Sequence, residues 1–84
     1  MGIYVGIDVS KDRLDVHVLP QGEAFAVERN GKGLAALVER LKPLAPSLVV
    51  VEATGGFEMT VAAAVAGAGL PLAVVNPARI RHYA

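Results

Sequence analysis

The sequence predicts a mixed α/β fold, and three observations carry that prediction. Residues up to Glu28 alternate apolar and polar with the period of two that a strand requires. After Asn30-Gly31-Lys32-Gly33 the apolar spacing changes to that of a helix. Two apolar runs then follow, each preceded by a helical stretch, which is the rhythm of strands joined by crossover helices.

Each element follows in order. Ile3, Val5 and Ile7 share one face of a first strand, and Tyr4, Gly6 and Asp8 share the other. Ser10-Lys11-Asp12 reads as a tight turn, because Ser and Asp side chains hydrogen-bond nearby backbone and tolerate turn dihedrals. A second strand sets Leu14, Val16 and Val18 against Arg13, Asp15 and His17. Pro20-Gln21-Gly22 turns the chain again, and a more polar third strand sets Phe25 and Val27 against Ala24, Ala26 and Glu28. Three strands joined by tight turns predict an antiparallel meander.

Leu34, Leu37, Val38 and Leu41 then fall on one stripe of a helix that Pro43 and Pro46 stop. Ser47–Glu52 is a continuous β-branched run, which predicts a strand buried on both faces. A second helix fits Phe57 to Ala68, started by Thr54 or the adjacent glycines and punctuated by Gly67 and Gly69. Leu70–Val75 predicts another buried strand. Asn76-Pro77 looks like a cap followed by proline at the first helical position, opening a last helix over Ala78–Ala84. The order β-β-β-α-β-α-β-α, with right-handed crossovers, places the first strand centrally beside Val49–Val51. It is the opening of an RNase H-like fold, which the chain is expected to leave incomplete.

Composition narrows the function. Eight Lys and Arg balance eight Asp and Glu, so bulk charge selects no partner. Hydrophobic residues make up 54% of the chain, too many for intrinsic disorder. The absence of Cys excludes a disulfide scaffold, thiolate zinc and a cysteine nucleophile. No apolar run approaches the roughly 20 residues of a membrane span, and the start of the chain carries Asp8 and no basic segment of the signal-peptide kind. At 84 residues the chain is one domain at most, and a domain of this size buries only about 60% of its unfolded surface.

Asp8 and Glu52 are the residues that point to chemistry. Each ends a predicted strand, and if those strands pair in parallel both carboxylates emerge at the sheet edge where open α/β folds bind ligands. Carboxylates that close repel each other and draw in a cation. A hard ion such as Mg²⁺ or Mn²⁺ suits two oxygen donors. From spacing alone the ordinary reading is the commoner one: Asp8 before Ser10 as a turn residue, Glu52 as part of a helix start. A charge that ends a triple-Val strand weighs the other way, because burying it is costly unless it is paired or metal-bound.

Lys11 at the first turn, and Arg79 and Arg81 beside His82 and Tyr83, are candidate phosphate contacts. Solvated surface is the alternative for Lys11, and interaction with a helix dipole the alternative for the arginines. Asp12 is expected to shape the turn, Asp15 to lie away from the strand tip, and His17 to be an ordinary outer-face residue. Gly55-Gly56 is not a phosphate loop of the Walker type, since no Gly-Lys-Ser/Thr follows.

Tyr4-Val5-Gly6-Ile7-Asp8-Val9-Ser10-Lys11 followed by Leu14-Asp15-Val16 resembles the start of the RuvC-like transposases of the insertion-sequence-110 type. So do Val51-Glu52-Ala53-Thr54-Gly55-Gly56-Phe57-Glu58 and Val74-Val75-Asn76-Pro77 with the Arg-rich segment after it. The three motifs occur in the family's order and spacing and cover nearly the whole chain. The resemblance implies a DEDD recombinase: an RNase H-like domain holding Mg²⁺ or Mn²⁺ with four acidic residues, a separate domain with a serine that attacks DNA, and a structured guide RNA that chooses target and donor. By motif, Asp8 matches the first acidic residue and Glu52 the second. The other two, and the serine domain, are expected beyond this sequence, so residues 1–84 are read as the N-terminal part of one such domain. On its own that part is expected to bind metal weakly and to be catalytically incompetent. A prokaryotic cytoplasmic setting is implied by the same resemblance.

Two other classes compete. An actin-like or sugar-kinase-like nucleotide-binding half also opens with a Gly-x-Asp strand and hairpin, but such proteins place Gly-Thr-rich residues after the Asp, where this chain has Val9-Ser10-Lys11. A non-catalytic oligomerisation module is the third reading. An incomplete RNase H-like sheet exposes apolar surface, which predicts a homo-oligomer.

Overall fold

A computed structural model describes residues 2–52 and 55–75. Strands β1 (Tyr4–Val9), β2 (Arg13–Leu19) and β3 (Glu23–Glu28) form the meander. Helix α1 (Gly31–Leu41) follows and tightens into a 3-10 turn over Lys42–Leu44. Strand β4 (Leu48–Glu52), helix α2 (Glu58–Gly67) and strand β5 (Leu72–Val75) complete the described elements. The expected last helix over Ala78–Ala84 lies outside the described residues.

The strands make one five-stranded sheet in the order β3-β2-β1-β4-β5. Strands β1, β2 and β3 pair antiparallel, while β1–β4 and β4–β5 pair in parallel. This is the mixed RNase H-like arrangement that the element order predicts, with β1 in the centre.

The turn between β1 and β2 sets the register of everything after it. The amide and hydroxyl of Ser10 both donate to the Arg13 carbonyl, at 2.9 and 3.0 Å. That closure opposes Val9 to Leu14 and Asp8 to Asp15. Asp12 does not supply the bond that closes the turn; it contributes its carbonyl, which accepts the Arg29 amide at 3.0 Å.

Among the described residues, the helices pack on one face of the sheet. Val5, Ile7, Val9, Leu14, Val16, Val18, Val49 and Val51 are buried against Leu37 and Leu41 of α1 and Val61 and Val65 of α2. The period-two rule then sends Tyr4, Gly6, Asp8, Asp15, His17, Val50 and Glu52 to the opposite, open face. This corrects the expectations that β4 is buried on both faces and that β5 is another buried strand. In β4, Leu48, Val50 and Glu52 are half-buried between buried valines, and β5 is an edge strand without a buried residue. Both helices contact one side, so among the described residues Val50 of β4 lies half-buried on a face that neither helix covers.

The helix ends have local causes. The Asn30 side chain accepts from the Gly33 amide at 2.8 Å and caps α1. Gly33 lets α1 lie against the end of β3: a Cβ there would stand 1.7 Å from the Glu28 carbonyl oxygen. α1 ends at Leu41, two residues before Pro43, and the chain passes through the 3-10 turn to Ala45 in the left-handed region (φ 45). α2 starts without a side-chain cap at Phe57, and Gly69 takes a positive φ of 77° just after its end.

Candidate functional site

The parallel pairing of β1 with β4 is what brings Asp8 and Glu52 together. Val5 stands beside Val49, Gly6 beside Val50 and Ile7 beside Val51. One further step along each strand reaches Asp8 and Glu52, on neighbouring strands and on the same open face. Neighbouring strands lie about 4.8 Å apart, a spacing that one cation can bridge. Asp8 is exposed and Glu52 half-buried.

Among the described residues neither carboxylate has a hydrogen-bond or ion-pair partner. Other carboxylates are committed. Asp15 accepts from Nε and Nη2 of Arg13 at 3.0 and 2.8 Å, Glu28 accepts from Asn30 at 2.7 Å, and Glu58 accepts from the Gly56 amide at 2.9 Å.

The donor set fits a hard divalent ion, and it fits as a partial site. Two carboxylates leave most of the six positions around Mg²⁺ to water or to other oxygen atoms. Among the described residues no three His, Cys, Asp or Glu side chains converge on a common point that would hold a metal ion.

Sequence reasoning passed over two features. Asp15 is expected away from the tip of β2, yet it lies directly opposite Asp8 across the antiparallel pair. The signal is present in the turn: a four-residue reversal at Ser10–Arg13 forces Asp8 and Asp15 together. Like charges so placed repel, and Arg13, two residues away on the same face, supplies the counter-charge. The other feature is Arg29, whose Nε donates to the Lys11 carbonyl at 2.6 Å; no spacing rule marks it.

Lys11 sits on the exposed turn directly after β1. Arg79 and Arg81, with His82 and Tyr83, lie outside the described residues, as do Ala53 and Thr54. His17 is exposed on the open face, opposite Gly6 of β1 and Ala24 of β3. No helix among the described residues is long and apolar enough to cross a membrane.

Comparison with known proteins gives one family and a fold shared with solved structures. The family model described as transposase, of the insertion-sequence-110 DEDD type, matches residues 5–84. No curated protein matches the chain. Among solved structures it is similar to part of the family B DNA polymerase from the hyperthermophilic archaeon Pyrobaculum calidifontis. That match has 21% identity and a TM-score of 0.52, and it covers 84% of this chain and 12% of the polymerase. A Pseudomonas aeruginosa protein described as uncharacterized, with similarity to peptidase YEAZ, matches at 15% identity and a TM-score of 0.50, over 90% of this chain and 44% of that one. YeaZ from Pseudomonas aeruginosa has the same identity and coverages at a TM-score of 0.48. At such identities the first two share a fold with this chain. The chain spans about an eighth of the polymerase and under half of the other two.

Proposed function

Because the chain belongs to the insertion-sequence-110 type of DEDD transposases, we propose that the C-terminal edge of its sheet is part of a divalent-metal site for DNA strand cleavage and transfer. Asp8 and Glu52 are two of the four acidic ligands in this reading. The observation that carries it is the parallel register of β1 and β4, which sets the two uncommitted carboxylates side by side. The family match over residues 5–84 favours this reading over a nucleotide-binding half-domain.

The residues divide the work by chemistry. Asp8 and Glu52 offer hard oxygen donors from two neighbouring parallel strands, one step beyond the Ile7–Val51 pair at which their ladder ends. A bound Mg²⁺ or Mn²⁺ supplies Lewis acidity toward a phosphodiester oxygen and charge compensation for its anionic transition state. Lys11, on the turn that leaves β1, holds a backbone phosphate near that edge; Arg79 and Arg81, outside the described residues, are further candidate phosphate contacts. Arg13 keeps Asp15 engaged and limits the negative charge next to Asp8.

Two carboxylates provide a weak site, so in this reading the 84-residue chain alone binds metal weakly and does not cut DNA. DNA, the element's guide RNA and further copies of the chain are the partners that accompany this reading. Light scattering tests the last of them, and a monomer at high concentration refutes it.

The experiment for the metal site is Mn²⁺ titration followed by paramagnetic broadening of backbone amide resonances. Broadening is expected around Asp8 and Glu52, and it is expected to disappear in both Asp8→Asn and Glu52→Gln. Asp12→Asn is expected to keep it. Broadening that persists in both variants, or that centres elsewhere, overturns the assignment.

A further inference from the structure

Arg29 contacts two segments that lie far apart in the chain. It follows β3, and its backbone amide donates to the Asp12 carbonyl at 3.0 Å. Its Nε donates to the Lys11 carbonyl at 2.6 Å. The same guanidinium reaches the first turn of α2, where Nη1 donates to Thr60 Oγ1 at 3.4 Å. Its central carbon lies 4.9 Å from the centroid of the Phe57 ring, within cation–π range.

The turn bearing Lys11 follows Asp8, and the turn bearing Phe57 follows Glu52. One side chain therefore ties the two segments that leave the two carboxylate-bearing strands. Arg29 reaches them from the side of the sheet where α2 packs, whereas Asp8 and Glu52 stand on the open face. It acts from behind the site and does not touch a bound ion.

We propose that Arg29 is a positioning residue for the candidate metal site: it holds the ends of β1 and β4 at a fixed separation, and with them the spacing of Asp8 and Glu52. The inference rests on the metal reading above. A planar fork suits the task, because it can donate to a carbonyl through one nitrogen, to a hydroxyl through another, and still lie over a ring.

Arg40 provides the control. It makes the same kind of contact, 3.7 Å from the Phe25 centroid and 3.8 Å from Glu23. It does so on β3, two strands across the sheet from β1, and it touches neither segment that leaves a carboxylate-bearing strand.

The test is Mn²⁺ affinity of the full chain, read from the electron paramagnetic resonance signal of free Mn²⁺, with circular dichroism to confirm folding. Arg29→Met is expected to weaken binding by about tenfold, the low end for partners that orient metal ligands from outside the coordination shell. Arg29→Lys keeps the charge and one donor, and is expected to restore part of the affinity. Arg40→Met is expected to lower the melting temperature similarly and leave Mn²⁺ affinity unchanged. Should Arg29→Met fail to fold, Phe57→Leu removes only the ring and is expected to weaken binding in the same direction by a smaller factor. Wild-type affinity in a folded Arg29→Met or, where that variant does not fold, in Phe57→Leu overturns the proposal, as does equal weakening by Arg40→Met. Binding that Asp8→Asn abolishes but Arg29→Met leaves intact sinks this inference alone; binding indifferent to Asp8→Asn sinks the metal reading and this inference with it.

Discussion

Replacing Gly33 with alanine places a methyl group where the end of β3 already stands. The added Cβ would lie 1.7 Å from the Glu28 carbonyl oxygen and 2.6 Å from its carbon, both backbone atoms. An ordinary contact begins near 3.4 Å, so the first turn of α1 has to retreat by roughly 1.7 Å. That movement strains the Asn30 cap, whose bond to the Gly33 amide is 2.8 Å and whose loss costs about 1 kcal/mol. It also loosens the packing of Leu37 and Leu41, both fully buried; overpacking of this kind costs typically 1–3 kcal/mol. Alanine's helix propensity offsets about 1 kcal/mol. The net expectation is destabilisation of about 1–3 kcal/mol, a fall in melting temperature on the order of 10 °C for a domain of this length. Thermal unfolding followed by circular dichroism measures it, with Gly67→Ala as the comparison, since a Cβ there meets nothing within 4 Å. A Gly33→Ala chain that melts at or above the wild-type temperature refutes the close-approach argument.

Other expectations follow from the same geometry. Arg13→Ala frees the Asp15 carboxylate opposite Asp8; exposed pairs contribute about 0.2–1 kcal/mol, so Mn²⁺ affinity is expected to rise by about 1.4- to 5-fold in low salt and to show no change in high salt. Weaker binding in that variant refutes the idea that Arg13 limits the charge at the site. Gly6→Ala adds a methyl to the open face where nothing lies within 4 Å. A stability gain of roughly 0.5–1 kcal/mol is expected in urea unfolding, and a loss shows that the face is covered in solution. Leu37→Ala empties a fully buried position and is expected to cost about 2–5 kcal/mol, a large share of the stability of a small domain, read as a lower urea midpoint.

Much of this fold is legible in the chain because period-two and helical spacing report directly on which side chains share a face. Val5, Ile7, Leu14, Val16 and Val18 alternate without exception, and all are buried. Asp8 and Glu52 were legible as strand-end carboxylates for the same reason. A run of valines signals a strand but not how many layers cover it; Val50 is β-branched and half-exposed, and among the described residues no helix packs on its side. The Asp8–Asp15 opposition was within reach of turn geometry. Arg29 was not, since its partners Lys11, Phe57 and Thr60 meet only after β3 and α2 have been placed in three dimensions.

The parallel contact between β1 and β4 also makes the candidate site a late product of folding. Asp8 belongs to a hairpin whose contacts are local, whereas Glu52 joins it only after β2, β3 and α1 have been threaded between, and closure over such a span carries an entropic cost. Until that step the two carboxylates belong to separate parts of an unfolded chain. An ion that needs both binds the native state alone, so its occupancy stabilises that state in proportion to the logarithm of its concentration. Mn²⁺ then acts as a probe of long-range assembly: hydrogen-exchange protection that rises with the ion across β1 and β4 together, while the outer hairpin strand β3 stays as it was, would mark the joining of the two halves of the sheet.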